Sequence, residues 1–187
     1  MTKIICTGTP EHGGICKSLH RVFPETFFVS RRNGFDLSTK QGLEMFDNIV
    51  DDFDVFINHS QIDLGVQETL LRNVAKKWHK GTIINIGSII EFEEWRWVDT
   101  VTSEEKISLR EQSIYLASEN LKTTHLITSG FQRHGPEEDI KIHPDKIVGV
   151  IQWILASNLH IPLIYVDELN DARLEKWRYA KQQGGGI

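Results

Sequence analysis

The sequence predicts an α/β protein built on a doubly wound parallel sheet. Three observations carry that prediction. Apolar runs of strand length alternate with helix-period stretches, the runs are apolar on both faces, and a glycine-rich turn follows the first of them.

Lys3 to Thr7 reads as the first strand, and Ile15, Leu19, Val22 and Phe23 form the apolar stripe of a helix behind it. Thr26 to Ser30 is the second strand. Leu43, Phe46, Ile49 and Val50 recur at helical spacing before a third strand at Val55 to Asn58. In a fold of this kind, the helix between strands two and three reads as replaced by the short turn at Asn33-Gly34. Leu64, Leu70, Leu71, Val74 and Trp78 stripe the next helix, and Thr82 to Ile86 is the fourth strand. His125 to Thr128 and Pro162 to Val166 are the last two strands. Between them, Pro144 opens a helix where its missing N–H costs little, Asp145 sits near the positive end, and Ser157 marks the close. Residues 1–169 are expected to form one nucleotide-binding domain. Residues 170–187 are expected to form a partly flexible tail, a charged, helix-compatible stretch followed by Gln182-Gln183-Gly184-Gly185-Gly186, which lacks the apolar content to order itself.

The 187 residues suffice for one core, with 40% hydrophobic and 25% charged residues as in ordinary globular proteins. A net charge of -5 gives no general attraction to nucleic acid or anionic membranes. No window approaches the roughly 20 apolar residues of a membrane span. With only Cys6 and Cys16, and histidines scattered without HxxxH or CxxC companions, neither a disulfide framework nor a metal site is expected. A cytoplasmic setting is the expectation.

Thr7-Gly8-Thr9-Pro10-Glu11-His12-Gly13-Gly14-Ile15 joins the first strand to the first helix. Glycines in such a turn let the backbone approach a pyrophosphate, and the helix start offers N–H donors and positive potential. The alternative is a tight turn with no ligand. After the second strand, Arg31 and Arg32 stand where a Rossmann-like sheet meets the adenosine ribose. Arginine there accommodates a 2'-phosphate, so NADP is expected, with NAD possible. The alternative is a solvated basic turn.

Together these segments resemble the short-chain dehydrogenase/reductase family, in a compact and divergent form. Thr7-Gly8 with Gly13-Gly14 is similar to its glycine motif, Asp36-Leu37 to the adenine-contacting pair, and Ile57-Asn58-His59-Ser60 to a degraded Asn-Asn-Ala-Gly segment. Ile84-Asn85-Ile86-Gly87-Ser88 is similar to the strand ending in the catalytic serine, Tyr115-Leu116-Ala117-Ser118 to the tyrosine segment, and Ser129-Gly130 to a Pro-Gly pair. The resemblance implies an oxidoreductase exchanging hydride with a small carbonyl or alcohol substrate. Ser88 would orient the substrate oxygen and Tyr115 would exchange its proton. The cofactor would lie against Gly8, Thr9, His12, Gly13, Gly14, Ile15, Arg31, Arg32, Asp36, Leu37, Asn58, His59 and the residue at 119. It also implies a homodimer or homotetramer, paired through the helices around Leu70 to Trp78 and Tyr115 to Leu121.

Departures are as informative. Where the family has lysine four residues after the tyrosine, this chain has Glu119, and a carboxylate one helical turn away disfavours the phenolate. Lys122, three residues on, reads as the neutraliser of Glu119. Cys16 stands where a last glycine is usual. The helix-four asparagine has two claimants, Asp63 and Asn73. The insert at Glu91 to Trp97 reads equally as a substrate-covering loop or a subunit contact. Glu119 favours the competing function, a catalytically silent nucleotide-binding protein with a sensing or scaffolding role. Epimerisation or dehydration at a retained cofactor site is a third.

Overall fold

Alternation of strand and helix resolves into one six-stranded, all-parallel sheet in the order β2-β1-β3-β4-β5-β6. The computed structural model describes residues 2–12, 14–59, 63–92, 100–129, 142–157 and 159–167. Its strands are β1 (Ile4–Thr7), β2 (Phe27–Val29), β3 (Val55–Asn58), β4 (Gly81–Ile86), β5 (Leu121–Thr128) and β6 (Leu163–Val166). Its helices are α1 (Gly14–Val22), α2 (Lys40–Ile49), α3 (Val66–Lys77), α4 (Thr100–Tyr115) and α5 (Pro144–Ala156). The expected tail at 170–187 lies outside the described residues.

Strands buried on both faces explain why their sequences do not alternate. Ile4, Cys6, Ile57, Ile84, Ile86 and Leu126 pack beneath α1 and α5, with Ile15, Leu19, Ile147 and Ile151. Ile5, Phe56 and Ile83 face the other layer, where Phe46, Leu70, Leu71, Val74 and Leu109 close on them from α2, α3 and α4. Local chemistry sets the helix ends. Thr39 caps α2 by accepting the Gly42 amide at 3.0 Å, and Pro144 opens α5, which ends at Ser157 as expected.

Three expectations are corrected. The segment between β2 and β3 keeps a helix, α2, after a 3-10 turn at Arg31–Asn33, because Thr39 supplies a cap and Gly42 fits against the Asp36 carbonyl. β5 begins at Leu121, so Lys122 is a strand residue paired with Thr82 and is not a helical neighbour of Glu119. α4 ends at Tyr115, leaving Leu116 to Ser118 in the turn beyond it.

The connection from β2 to β3 crosses over β1, so strand order reverses between β1 and β3. Ligands of open α/β sheets bind at that reversal, beyond the carboxyl ends of the strands.

Candidate functional site

At the carboxyl edge, Gly8 leaves β1 with φ 123, a conformation that side chains resist, and its amide donates to Val29 at 2.9 Å. A 3-10 turn at Pro10–His12 follows, and α1 starts at Gly14, φ 64, with no acidic residue in its first turn. No acidic side chain of the first turn of α1 opposes an incoming phosphate. Ile15 points into the core, so only its backbone serves the loop. Thr9 is half-buried on the loop. The side chain of His12, and Gly13, lie outside the described residues. Glu11 pairs with Arg32, tying the loop to the end of β2.

Arg31 and Arg32 are both exposed beyond β2. Gly34, φ 92, ends their turn and lets the chain reach Asp36 and Leu37. The Ser38 hydroxyl donates to Asp36 Oδ1 at 2.6 Å, and this bond, with the Arg31 charge, holds the Asp36 carboxyl below its usual range. Leu37 is buried in the core.

The centre of the site is a buried polar row. Ladder register places Asn58, Asn85 and His125 side by side on β3, β4 and β5. Asn58 Nδ2 donates to Asn85 Oδ1 at 2.9 Å and to the Gln67 carbonyl at 2.8 Å. Gln67 Nε2 returns a bond to the Asn58 carbonyl at 2.8 Å, and Gln67 Oε1 accepts from Lys106 Nζ. Lys106 also donates to the Ile86 carbonyl at 3.3 Å. Only 5% exposed, it has its ammonium pushed down to about 8 by burial, against the opposing pull of Glu105 and Glu91.

Ser88 follows β4 and caps a 3-10 turn at Ile89–Glu91. Its amide donates to Glu91 Oε1 at 2.8 Å, and His125 Nε2 lies 2.9 Å from the same oxygen. Arg110 Nη1 approaches Glu91 Oε2 at 3.4 Å. Gly87 has no room for a side chain, since a Cβ would stand 2.3 Å from both Glu91 Oε1 and His125 Nε2.

These bonds calibrate α4 against the sheet. Ser103 Oγ reaches the Ile90 carbonyl at 2.6 Å, Lys106 reaches Ile86, and Ser113 Oγ accepts from Asn85 at 3.1 Å. Ser88 is therefore level with the 103–106 stretch. Tyr115 lies nine residues past Lys106, about 14 Å along the axis, and is 82% exposed. The structure does not bring Tyr115 to Ser88. Glu119 is exposed in the turn before β5, at the amino edge, so it faces neither the phosphate loop nor Ser88. The pairing read from sequence fails because a helix spanning the whole sheet carries its two ends to opposite edges.

The buried cation level with Ser88 is Lys106 on α4. Four residues before it stands Thr102, not tyrosine. Gln67, rather than Asp63 or Asn73, is the α3 residue beside that lysine; Asp63 is exposed and Asn73 bonds Asp47. Glu91 and Phe92 are described, whereas residues 93–97 of the insert, like Ser60 and Gly130, lie outside the described residues. Sequence reading missed Lys106, Gln67, Glu91 and His125. One signal existed. Ser103, Lys106, Leu109 and Ser113 recur at helical spacing, but a stripe with a single apolar member does not read as an inner face.

The edge fits a dinucleotide. Besides the glycine turn, the buried Asn58 Oδ1 and Ser129 Oγ have no partner there among the described residues. No cluster suited to a metal ion occurs among the described residues.

No family model and no curated protein matches the sequence. Solved structures do match. The bulky-bulky ketone specific alcohol dehydrogenase of Comamonas testosteroni superposes with TM-score 0.72 at 15% identity, over 98% of this chain and 93% of that one. This chain has the short-chain dehydrogenase/reductase fold. Two further proteins of that fold are similar. A short chain dehydrogenase from Burkholderia cenocepacia J2315, in complex with NADP, gives TM-score 0.68 at 14% identity over 98% and 96% of the two chains. The 3-alpha-hydroxysteroid dehydrogenase of Pseudomonas sp. B-0831, complexed with NADH, gives 0.67 at 15% over 94% and 99%. The site built above occupies the carboxyl edge of this sheet at the strand reversal.

Proposed function

We propose that this chain is a divergent short-chain oxidoreductase that binds a nicotinamide dinucleotide and acts on a small carbonyl or alcohol substrate. The observation that carries this reading is Lys106, buried on α4 level with Ser88 and oriented by Gln67 and the Ile86 carbonyl. A buried lysine is costly, and its retention at the carboxyl edge of β4 is explained by an electron-rich ligand. The dinucleotide supplies the hydride when bound. Lys106 would hold the ribose hydroxyls, the Gly8 to Gly14 turn would receive the pyrophosphate, and Ser88 would orient the substrate oxygen.

The proton of the reaction cannot come from Tyr115 in this arrangement. Lys106 is the group level with Ser88 whose ammonium is shifted to about 8, where it can donate near neutral pH. Titration with NADPH and NADH tests the reading first. Binding of either, weakened about a hundredfold by Lys106→Met, supports it, and absence of binding to the wild type overturns it.

NADP is the proposed preference, supported by Arg31 and Arg32 at the end of β2. Replacing both with alanine should weaken NADPH at least tenfold more than NADH, since a phosphate contact is a charge-assisted bond. Equal weakening would remove the preference.

The silent-binder reading keeps one supporting observation, the threonine at position 102 where the fold's enzymes are expected to carry a tyrosine. Tight NADPH binding without turnover on any small ketone or aldehyde would select it. A homodimer or homotetramer is also proposed, supported by Val101, Ile114 and Tyr115 exposed along α4. Light scattering after gel filtration measures it, and a monomer would end that proposal.

A further inference from the structure

Beneath the phosphate loop lies a cluster that the proposed reaction does not use. Cys6 is the third residue of the buried strand β1, and Cys16 is the third residue of α1, both as free thiols. Cys6 Sγ lies 3.5 Å and Cys16 Sγ 3.8 Å from one acceptor, the Thr7 carbonyl oxygen. His59, just past β3, brings Nδ1 to 3.4 Å from Cys16 Sγ. A second thiol, an imidazole and a helix start thus converge on one sulfur.

We propose that Cys16 is a peroxide-reactive thiol, assisted by His59 and resolved by Cys6, whose oxidation remodels the phosphate loop. Each partner has a chemical part. The imidazole nitrogen can take the Cys16 proton, and the amino end of α1 favours the anion left behind. Consistent with that geometry, the Cys6 hydrogen bond foremost, then the His59 charge and the Thr9 amide, bring the Cys16 thiol down to about 5 against the cost of burial. Burial, by contrast, pushes the Cys6 thiol up, leaving it a protonated donor. One sulfur is thereby the nucleophile and the other its proton-bearing neighbour.

In the first step the Cys16 thiolate attacks one oxygen of hydrogen peroxide. An S–O bond forms, the O–O bond breaks, and hydroxide leaves and takes a proton to become water; sulfur is oxidised by two electrons and peroxide is reduced. In the second step the Cys6 sulfur attacks the Cys16 sulfur of the sulfenic acid. An S–S bond forms, the S–O bond breaks, and the departing hydroxide takes the Cys6 proton as a second water. The two cysteines bracket the Gly8 to Gly14 turn, so a bond between them draws the start of α1 toward β1 and closes the space for a phosphate. That last consequence, unlike the thiol chemistry, rests on the dinucleotide reading above.

The test uses the full chain, reduced and freed of reductant, mixed with hydrogen peroxide and followed by intact mass and peptide mapping. The expected product is an intramolecular Cys6–Cys16 disulfide. The first step, read as loss of the free Cys16 thiol, should change in rate less than about twofold between pH 8 and pH 6, whereas an ordinary thiol of pKa about 8.5 slows roughly 75-fold over that range. His59→Gln should slow the reaction at pH 6 about tenfold. Cys6→Ser should stop at a Cys16 sulfenic acid trapped by dimedone. Cys16 remaining reduced until urea is added would overturn the proposal, as would a rate with the pH dependence of an ordinary thiol. NADPH titration of the reduced and oxidised chains completes the test, with at least tenfold weaker binding expected after oxidation. If the disulfide forms as described but neither chain binds NADPH, the dinucleotide reading fails while the thiol site stands.

Discussion

At its amino end α4 turns Ser103 and Lys106 inward, against Ile90, Ile86 and Gln67, while at its carboxyl end Tyr115 stands in solvent with Glu119 just beyond. The residue types alone suggest the reverse assignment, because a tyrosine near a serine-bearing strand looks like chemistry and a lysine within Ser103-Glu104-Glu105-Lys106 looks like a solvated face. Burial decides between them. A carboxylate at position 119 is screened by water and acts on nothing at the site, whereas a cation at 106 is desolvated and held by two acceptors.

The sharpest way to break this comparison is to remove a carboxylate from each end. Glu91 is fully buried and holds the Ser88 amide, His125 and Arg110, so Glu91→Ala should destabilise the fold by about 3–5 kcal/mol in urea unfolding. Glu91→Gln, which keeps an acceptor for Ser88, should lose distinctly less. If Glu91→Ala were neutral, the carboxyl-edge network would be packing without energetic weight.

Ligand binding gives the next contrast. Lys106→Met should weaken NADPH by on the order of a hundredfold, the loss of a charge-assisted bond worth about 2–3 kcal/mol, while Tyr115→Phe should change it less than about twofold. Isothermal titration of the two variants reads both. A large Tyr115 effect with a small Lys106 effect would restore the assignment made from residue types.

Lys106 also predicts a pH signature. Its folded value, about 8, lies below the unfolded value of about 10.4, so between them the unfolded chain binds more protons and stability rises with pH. Relative to Lys106→Met, the wild type should gain about 2 kcal/mol between pH 7.5 and 9.5. Urea melts at the two values measure it. An unchanged difference would mean that Lys106 is solvated.

The smallest effect belongs to the position that looks most anomalous in sequence. Glu119→Lys should alter stability by less than about 0.5 kcal/mol and leave turnover and NADPH affinity as they were. A gain in turnover would place residue 119 in the site after all.

Much of the framework was legible because it rests on local pattern. The apolar runs placed all six strands within a few residues, apart from β5, whose start at Leu121 was hidden by Lys122, Thr123 and Thr124. Pro144 and Ser157 bounded α5, and the glycine turn after β1 and Ser88 after β4 both arrived at the carboxyl edge. A parallel strand directs whatever follows it to that edge, so order along the chain settles the matter. The phase of α4 was not legible, because its inner face is Ser103, Lys106, Leu109 and Ser113 and carries almost no hydrophobic contrast.

Sequence alone thus determined the class of fold, the alternation of its elements and the edge on which a ligand would lie, since period, turn chemistry and chain direction are properties of neighbours. Only tertiary structure decided which charges leave water. Glu91 meets His125 across 34 residues and Cys16 meets His59 across 43, and such pairs acquire their chemistry from desolvation and approach that no local pattern encodes.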